Sequence, residues 1–140
     1  MLDGNRRVID YLRISVTDRC NLRCVYCMPA EGVEWLPHEK ILRYEEILRL
    51  CTICAKLGVT KYKLTGGEPL VRKGLARLVA GIKAIPGTQS VTLTTNGILL
   101  AQQLPELAAA GLDGVNISLD TLDPDRFAAI TRGGRVERVM

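Results

Sequence analysis

Short runs of alternating polar and apolar residues recur along the chain, and stretches with helical spacing separate them. Four runs rich in β-branched residues predict strands at Leu12–Val16, Lys61–Thr65, Val91–Thr95 and Val115–Leu119. Apolar residues spaced three and four apart predict helices at Glu45–Leu57, Gly74–Ile85, Leu100–Ala110 and Asp125–Ile130. A strand–helix repeat with short connections predicts an α/β fold whose parallel (βα) units form half of a TIM-type barrel, or an open sheet.

The predicted strands have one apolar and one polar face. Parallel strands that are covered on both sides are usually apolar throughout, so the polar face needs an explanation. It carries hydroxyls, amides and three cations, namely Arg13, Lys61 and Lys63. The polar face is either solvated or lines a wet cavity, and we favour the cavity because βα folds place ligand sites at their sheets.

Composition narrows the range of function classes. The 140 residues carry 19 Lys plus Arg and 15 Asp plus Glu, a net charge of +4, which argues against a histone-like nucleic-acid binder. No apolar run resembles a secretory signal or a membrane span, so we expect a cytoplasmic location, with neither nucleic acid nor membrane as a partner. In that compartment, the five cysteines are expected to be metal ligands, catalytic groups or core residues rather than disulfides.

Three cysteines give the strongest chemical signal. Cys20, Cys24 and Cys27 follow the first predicted strand, in a connection that runs from Thr17 to about Arg43. Thiolates select zinc, Cu(I) or iron–sulfur clusters. A structural zinc site needs a fourth ligand, for which His38 is the candidate, whereas three thiolates on a cubane leave one iron open. The other two cysteines, Cys51 and Cys54, share a helical stripe and are predicted to be core residues.

Four segments together resemble the radical S-adenosylmethionine (SAM) superfamily. They are the CxxxCxxC spacing with Tyr26 before its last cysteine, Gly66-Gly-Glu-Pro69, Leu93-Thr-Thr-Asn-Gly97 and Asn116-Ile-Ser-Leu-Asp120. Each follows or ends a predicted strand, where βα folds build their active sites. Within the superfamily, Leu12–Pro29 and Lys63–Pro69 are similar to the GTP 3′,8-cyclase family, whose members are lyases of molybdenum cofactor biosynthesis.

This resemblance implies a chemistry and a set of site residues. A 4Fe–4S cluster would deliver an electron to SAM, and the resulting 5′-deoxyadenosyl radical would take hydrogen from C3′ of GTP, whose sugar carbon then attacks C8. The metal ligands it implies are Cys20, Cys24 and Cys27. The residues it implies for SAM are Tyr26, Gly67, Glu68 and Ser118. The residues it implies for GTP are Arg13, Lys63 and Thr94. No catalytic acid or base is assigned.

Two cations near these positions have open roles, and one assigned cation departs from the family pattern. Lys63 stands where the family commonly carries Arg, so the point charge is kept but the two-pronged hydrogen bond is lost. Lys61 and Arg72 are either auxiliary cations of the same site or solvated charges.

The resemblance also sets expectations for domains and partners. We expect residues 1–140 to be the N-terminal part of a radical SAM core domain, without the C-terminal second-cluster domain of the family, and to be unable to cyclise GTP alone. GTP and an electron donor are the expected partners, and a homodimer is left open. Two alternatives stand beside this hypothesis: a radical SAM enzyme acting on a peptide or tetrapyrrole, and a non-catalytic zinc or redox-sensing module.

Overall fold

A single parallel sheet organises the described part of the chain. The computed structural model describes residue 4 and residues 6–140. Its strands run in the order β1-β2-β3-β4, and all neighbours are parallel. Their bounds are β1 Tyr11–Ser15, β2 Lys61–Thr65, β3 Ser90–Thr95 and β4 Gly114–Ile117. The predicted strands are confirmed, with ends that differ by no more than two residues.

Helices follow the strands as the apolar spacing predicts. Their bounds are α1 Tyr44–Lys56, α2 Leu75–Lys83, α3 Leu100–Ala109 and α4 Pro124–Thr131. Short 3₁₀ turns lie at His38–Lys40, Pro69–Val71 and Val136–Arg138. None of the helices in residues 4 and 6–140 has the length and apolar character needed to span a bilayer.

The helix ends show how local chemistry sets these bounds. α4 begins at Pro124, one residue before its predicted start, because the Asp123 carboxylate caps the helix by accepting the Arg126 N–H at 2.9 Å. α1 has an arginine at its N-cap, where a short polar side chain is usual. There the Glu46 carboxylate accepts the Arg43 N–H at 2.7 Å, so one unpaired donor is still satisfied.

The apolar face of the sheet forms the core with α1, α2 and α3. Tyr62, Leu64, Val91 and Leu93 from β2 and β3 are fully buried there. The opposite face keeps its polar side chains half-buried or exposed. This one-sided burial positions the site, because the polar face and the carboxyl ends of the strands remain accessible.

Candidate functional site

One cavity gathers the sequence motifs. It has a volume of about 240 Å³ and lies at the carboxyl ends of the strands. We call residues 18–29, which follow β1, the cysteine loop. The predicted site residues that line the cavity are Cys20, Cys24, Tyr26, Cys27, Gly67, Glu68, Thr94 and Ser118. Eight positions chosen from four separate segments of the sequence therefore meet at one place.

The three cysteines of the loop differ in exposure. Cys20 and Cys24 are half-buried and Cys27 is exposed. Burial raises the pKa of the Cys20 and Cys24 thiols above the ordinary value, so binding a metal there must release protons. Among residues 4 and 6–140, no three His, Cys, Asp or Glu side chains surround a point that one metal ion could occupy.

The glycine-rich segment lies directly against the backbone of the cysteine loop. The Gly67 N–H donates to the Thr17 carbonyl at 2.8 Å. A Cβ atom at Gly67 would collide with the Arg19 carbonyl oxygen and lie 2.6 Å from that of Asp18. Steric contact thus explains why position 67 is a glycine: a residue without a side chain lets the two chain segments approach closely.

Tyr26 ties the cysteine loop to the far side of the sheet. Its hydroxyl donates to the Asp120 carboxylate at 2.7 Å. This hydrogen bond and partial burial raise the pKa of Tyr26 well above its ordinary value, so the phenol keeps its proton. The loop also pairs with the end of α4, where the Val25 N–H donates to the Ile130 carbonyl at 2.9 Å.

Two of the predicted cations lie side by side on the polar face of the sheet, outside the lining of the cavity. Arg13 and Lys63 are register partners in β1 and β2. The Lys63 ammonium donates to the neutral Asn116 amide at 2.8 Å. Lys61, two residues earlier, is instead paired with the Asp10 carboxylate at 2.8 Å. Among the described residues, no carboxylate forms an ion pair with Lys63, whereas Asp10 forms one with Lys61.

Arg72 lies outside the lining of the cavity. Its guanidinium stacks over the Tyr44 ring, 4.2 Å from the centroid, and donates to the Val16 and Leu42 carbonyls. These contacts make it a link between β1, α1 and the segment after β2. Of the two interpretations left open for Arg72, these contacts favour neither, because its guanidinium donates to carbonyls within the fold.

The candidate fourth ligand, His38, and the two remaining cysteines lie outside the cavity that the cysteine loop lines. His38 lines a different cavity, of about 560 Å³, which contains none of the cysteines. Cys51 is fully buried in the core and Cys54 packs against it, as predicted. The structure therefore does not bring His38 to the three thiols of the cysteine loop.

Sequence reasoning missed two asparagines beside the cavity. The Asn96 amide donates to the Asn21 side-chain oxygen at 2.7 Å, which connects the end of β3 to the cysteine loop. Asn96 lies inside one of the quoted motifs and Asn21 directly follows Cys20, so their positions were visible. Their contact was not, because it joins residues 75 positions apart.

Comparison with known proteins supports the interpretation of the motifs that line the cavity. The family model described as "Radical SAM superfamily" matches residues 14–140, which is most of the chain.

The chain belongs to the radical SAM superfamily.

The superfamily implies a 4Fe–4S cluster and SAM as cofactors. The crystal structure of BtrN in complex with AdoMet and 2-DOIA superposes with a TM-score of 0.60 at 18% identity, covering 95% of this chain and 55% of that one. This likeness supports a partial (βα) barrel as the fold of this radical SAM chain.

Curated relatives of this radical SAM chain share a name. A protein from Pelotomaculum thermopropionicum named GTP 3′,8-cyclase is 60% identical over 136 residues, covering 97% of this chain and 42% of the relative. A protein of the same name from Heliobacterium modesticaldum is 56% identical over 139 residues, covering 99% of this chain and 42% of the relative. The chain thus spans less than half the length of these relatives.

Proposed function

We propose that this chain forms the N-terminal part of the core domain of a GTP 3′,8-cyclase, a radical SAM lyase of molybdenum cofactor biosynthesis. The observation that carries the proposal is the single cavity into which all four motif segments converge. Relatives of that name at 56% and 60% identity support the choice of reaction. A cytoplasmic location and an electron-donor partner accompany this proposal.

The residues present fit the implied cofactors. A 4Fe–4S cubane offers separate iron atoms, so its ligands need to share a cavity rather than converge on one ion. Cys20, Cys24 and Cys27 meet this requirement, and we propose them as the cluster ligands. When bound, the cluster supplies the electron that cleaves SAM reductively.

The other lining residues are suited to holding SAM beside those thiols. The exposed Tyr26 ring is fixed by Asp120 and offers an apolar surface for an adenine. Ser118, on the polar face after β4, offers a hydroxyl to a ribose or a carboxylate. Gly67 and Glu68 complete the wall from the end of β2.

GTP binding is assigned to the polar face of the sheet. Arg13 and Lys63 are adjacent cations on β1 and β2, and a triphosphate needs such a positive wall. Thr94 on β3 lines the cavity and lies on the same face of the sheet as this pair, so its hydroxyl can orient the nucleotide. The arrangement would place a nucleotide between the cations and the SAM site.

The two lysines of β2 provide a matched test. Lys63→Met should weaken GTP binding about 10-fold or more, because a charged hydrogen bond contributes about 1.5–3 kcal/mol. Lys61→Met should leave GTP affinity unchanged, since Lys61 is already paired with Asp10. Equilibrium dialysis of labelled GTP against the anaerobically reconstituted protein measures both. Equal losses of GTP affinity in the two variants would show that the overall charge of the protein, rather than a specific site, determines binding.

Reconstitution separates the competing functions. Anaerobic loading with iron and sulfide should give a brown protein that cleaves SAM to 5′-deoxyadenosine when dithionite is added. SAM cleavage without GTP binding would support an enzyme acting on a peptide or tetrapyrrole. A colourless protein that binds zinc and leaves SAM intact would support the sensing module and refute the proposal.

A further inference from the structure

Glu68 is the most deeply buried charged residue that lines the cavity. It is 1% exposed. Its Oε1 accepts hydrogen bonds from the Leu70 N–H at 3.0 Å and the Thr95 hydroxyl at 2.7 Å, and its Oε2 accepts the Asn96 N–H at 2.7 Å. A buried carboxylate is costly unless such donors compensate it. The buried Glu68 carboxylate is therefore compensated by hydrogen-bond donors from its own turn and from the end of β3.

The contact with Asn96 continues into the cysteine loop. The Asn96 side-chain oxygen accepts the Ile98 N–H at 3.1 Å, which orients the amide. Its Nδ2 then donates to the Asn21 side-chain oxygen at 2.7 Å. Asn21 lies next to Cys20, so Asn96 links Glu68 to the first thiol-bearing segment, through its main-chain N–H on one side and its side-chain amide on the other.

The main chain of Glu68 reaches the same loop by a second route. Its N–H donates to the Arg19 carbonyl at 2.8 Å, one residue before Cys20. The cysteine loop is thus held on both sides of Cys20: through the Arg19 carbonyl and through the Asn21 side chain. Both attachments depend on the turn that Glu68 occupies.

We propose that Glu68, Asn96 and Asn21 form a positioning network that sets the cysteine loop against the ends of β2 and β3. In this network Glu68 is a positioning residue that acts through Asn96, rather than a direct partner of the SAM ammonium. The inference rests on the proposed function only in taking the three cysteines as cluster ligands. Its first test uses metal-free protein and is independent of SAM and GTP.

Asn21 offers the least disruptive test because its side chain is exposed. Asn21→Ala removes the acceptor for Asn96, whereas Asn21→Asp keeps an acceptor of the same shape. In metal-free protein, Asn21→Ala should raise the alkylation rate of Cys20 at least several-fold, whereas Asn21→Asp should not raise it. Peptide mass spectrometry reads each cysteine separately, with Cys54 as the internal control whose rate stays constant. Unchanged Cys20 alkylation in Asn21→Ala would overturn the proposal.

Glu68→Gln tests the deeper end of the network. Glutamine keeps an oxygen for Leu70 and Thr95 but presents an NH₂ group to the Asn96 N–H, so the link to Asn96 is broken. Glu68→Gln should raise Cys20 alkylation as Asn21→Ala does, and the double variant should add little beyond either single one. If Glu68→Gln does not fold, Asn96→Ala, which removes the side-chain donor to Asn21, replaces it in the same cycle.

The spectrum of the reduced cluster distinguishes positioning from direct binding. A positioning role predicts that Glu68→Gln and Asn21→Ala shift the electron paramagnetic resonance spectrum in the same way before SAM is added. If Glu68→Gln changes only the SAM-bound spectrum and leaves Cys20 alkylation unaltered, then Glu68 binds SAM directly and the proposal fails. If the unsubstituted protein does not bind GTP but the variants show the predicted alkylation rates, the proposed substrate is refuted and the positioning network is still supported.

Discussion

Gly67→Ala is the change for which the structure predicts the largest steric effect at the cavity. The new Cβ would collide with the Arg19 carbonyl oxygen and lie 2.6 Å from that of Asp18. Neither is a flexible side chain, so the cysteine loop itself must move. Overpacking of this kind costs about 1–3 kcal/mol. Displacing Arg19 also weakens its 2.8 Å hydrogen bond from the Glu68 N–H, worth about 1 kcal/mol.

Gly114→Ala is the matched control for this change. A Cβ at Gly114 in β4 would meet its nearest neighbour, the Thr92 methyl group, at an ordinary 3.7 Å. We expect Gly67→Ala to lose about 2–4 kcal/mol in urea unfolding of metal-free protein, from the sum of those two effects. Gly114→Ala should stay within about 0.5 kcal/mol of the original protein.

A cofactor-only role for Gly67 predicts a different result. If the glycine serves only to let SAM approach, Gly67→Ala leaves metal-free stability unchanged and lowers SAM affinity alone. Equal unfolding midpoints for Gly67→Ala and Gly114→Ala would therefore refute the reasoning from the cysteine-loop contact.

Two further substitutions test the fold away from the cavity. The Val91 N–H and Lys83 hold the pKa of Asp113 below 3.8, so its stabilisation is present above that pH and is lost as pH falls through the lowered value. Asp113→Asn should cost about 1 kcal/mol at neutral pH, and urea unfolding should show the deficit shrinking below about pH 4. Tyr62→Phe removes the hydroxyl that donates to the Cys51 carbonyl at 3.0 Å and should cost about 1 kcal/mol, whereas exposed Tyr11→Phe should cost none.

The fold was predictable because its signals are local. Alternation with a period of two sets the strands, and β2 is found at its predicted bounds, Lys61–Thr65. Asp123-Pro124 begins α4 because both groups act on the first turn of their own helix. Helix and strand signals of this kind need no knowledge of distant residues.

The roles of individual charges were not predictable in the same way. The sequence alone suggests that Arg72 is available as a cation, yet its guanidinium donates to carbonyls 30 and 56 residues away. The sequence suggests Glu68 only as a SAM residue, whereas in the structure two of its hydrogen-bond donors come from Thr95 and Asn96 at the end of the next strand. Sequence spacing shows which groups carry charge, whereas only the folded chain shows which groups form hydrogen bonds with them.

The path of the cysteine loop accounts for the unusual length of the first connection. β1 and β4 are three strands apart, about 14 Å in a flat sheet. The loop leaves β1 and still places the Tyr26 hydroxyl 2.7 Å from Asp120 after β4, and the Val25 N–H on α4. It therefore crosses the carboxyl ends of all the strands, and the chain must return the same distance before α1 begins at Tyr44. A short βα turn could hold three thiols, but it could not also carry them over the ends of β2 and β3, where Glu68 and Asn96 hold them in place.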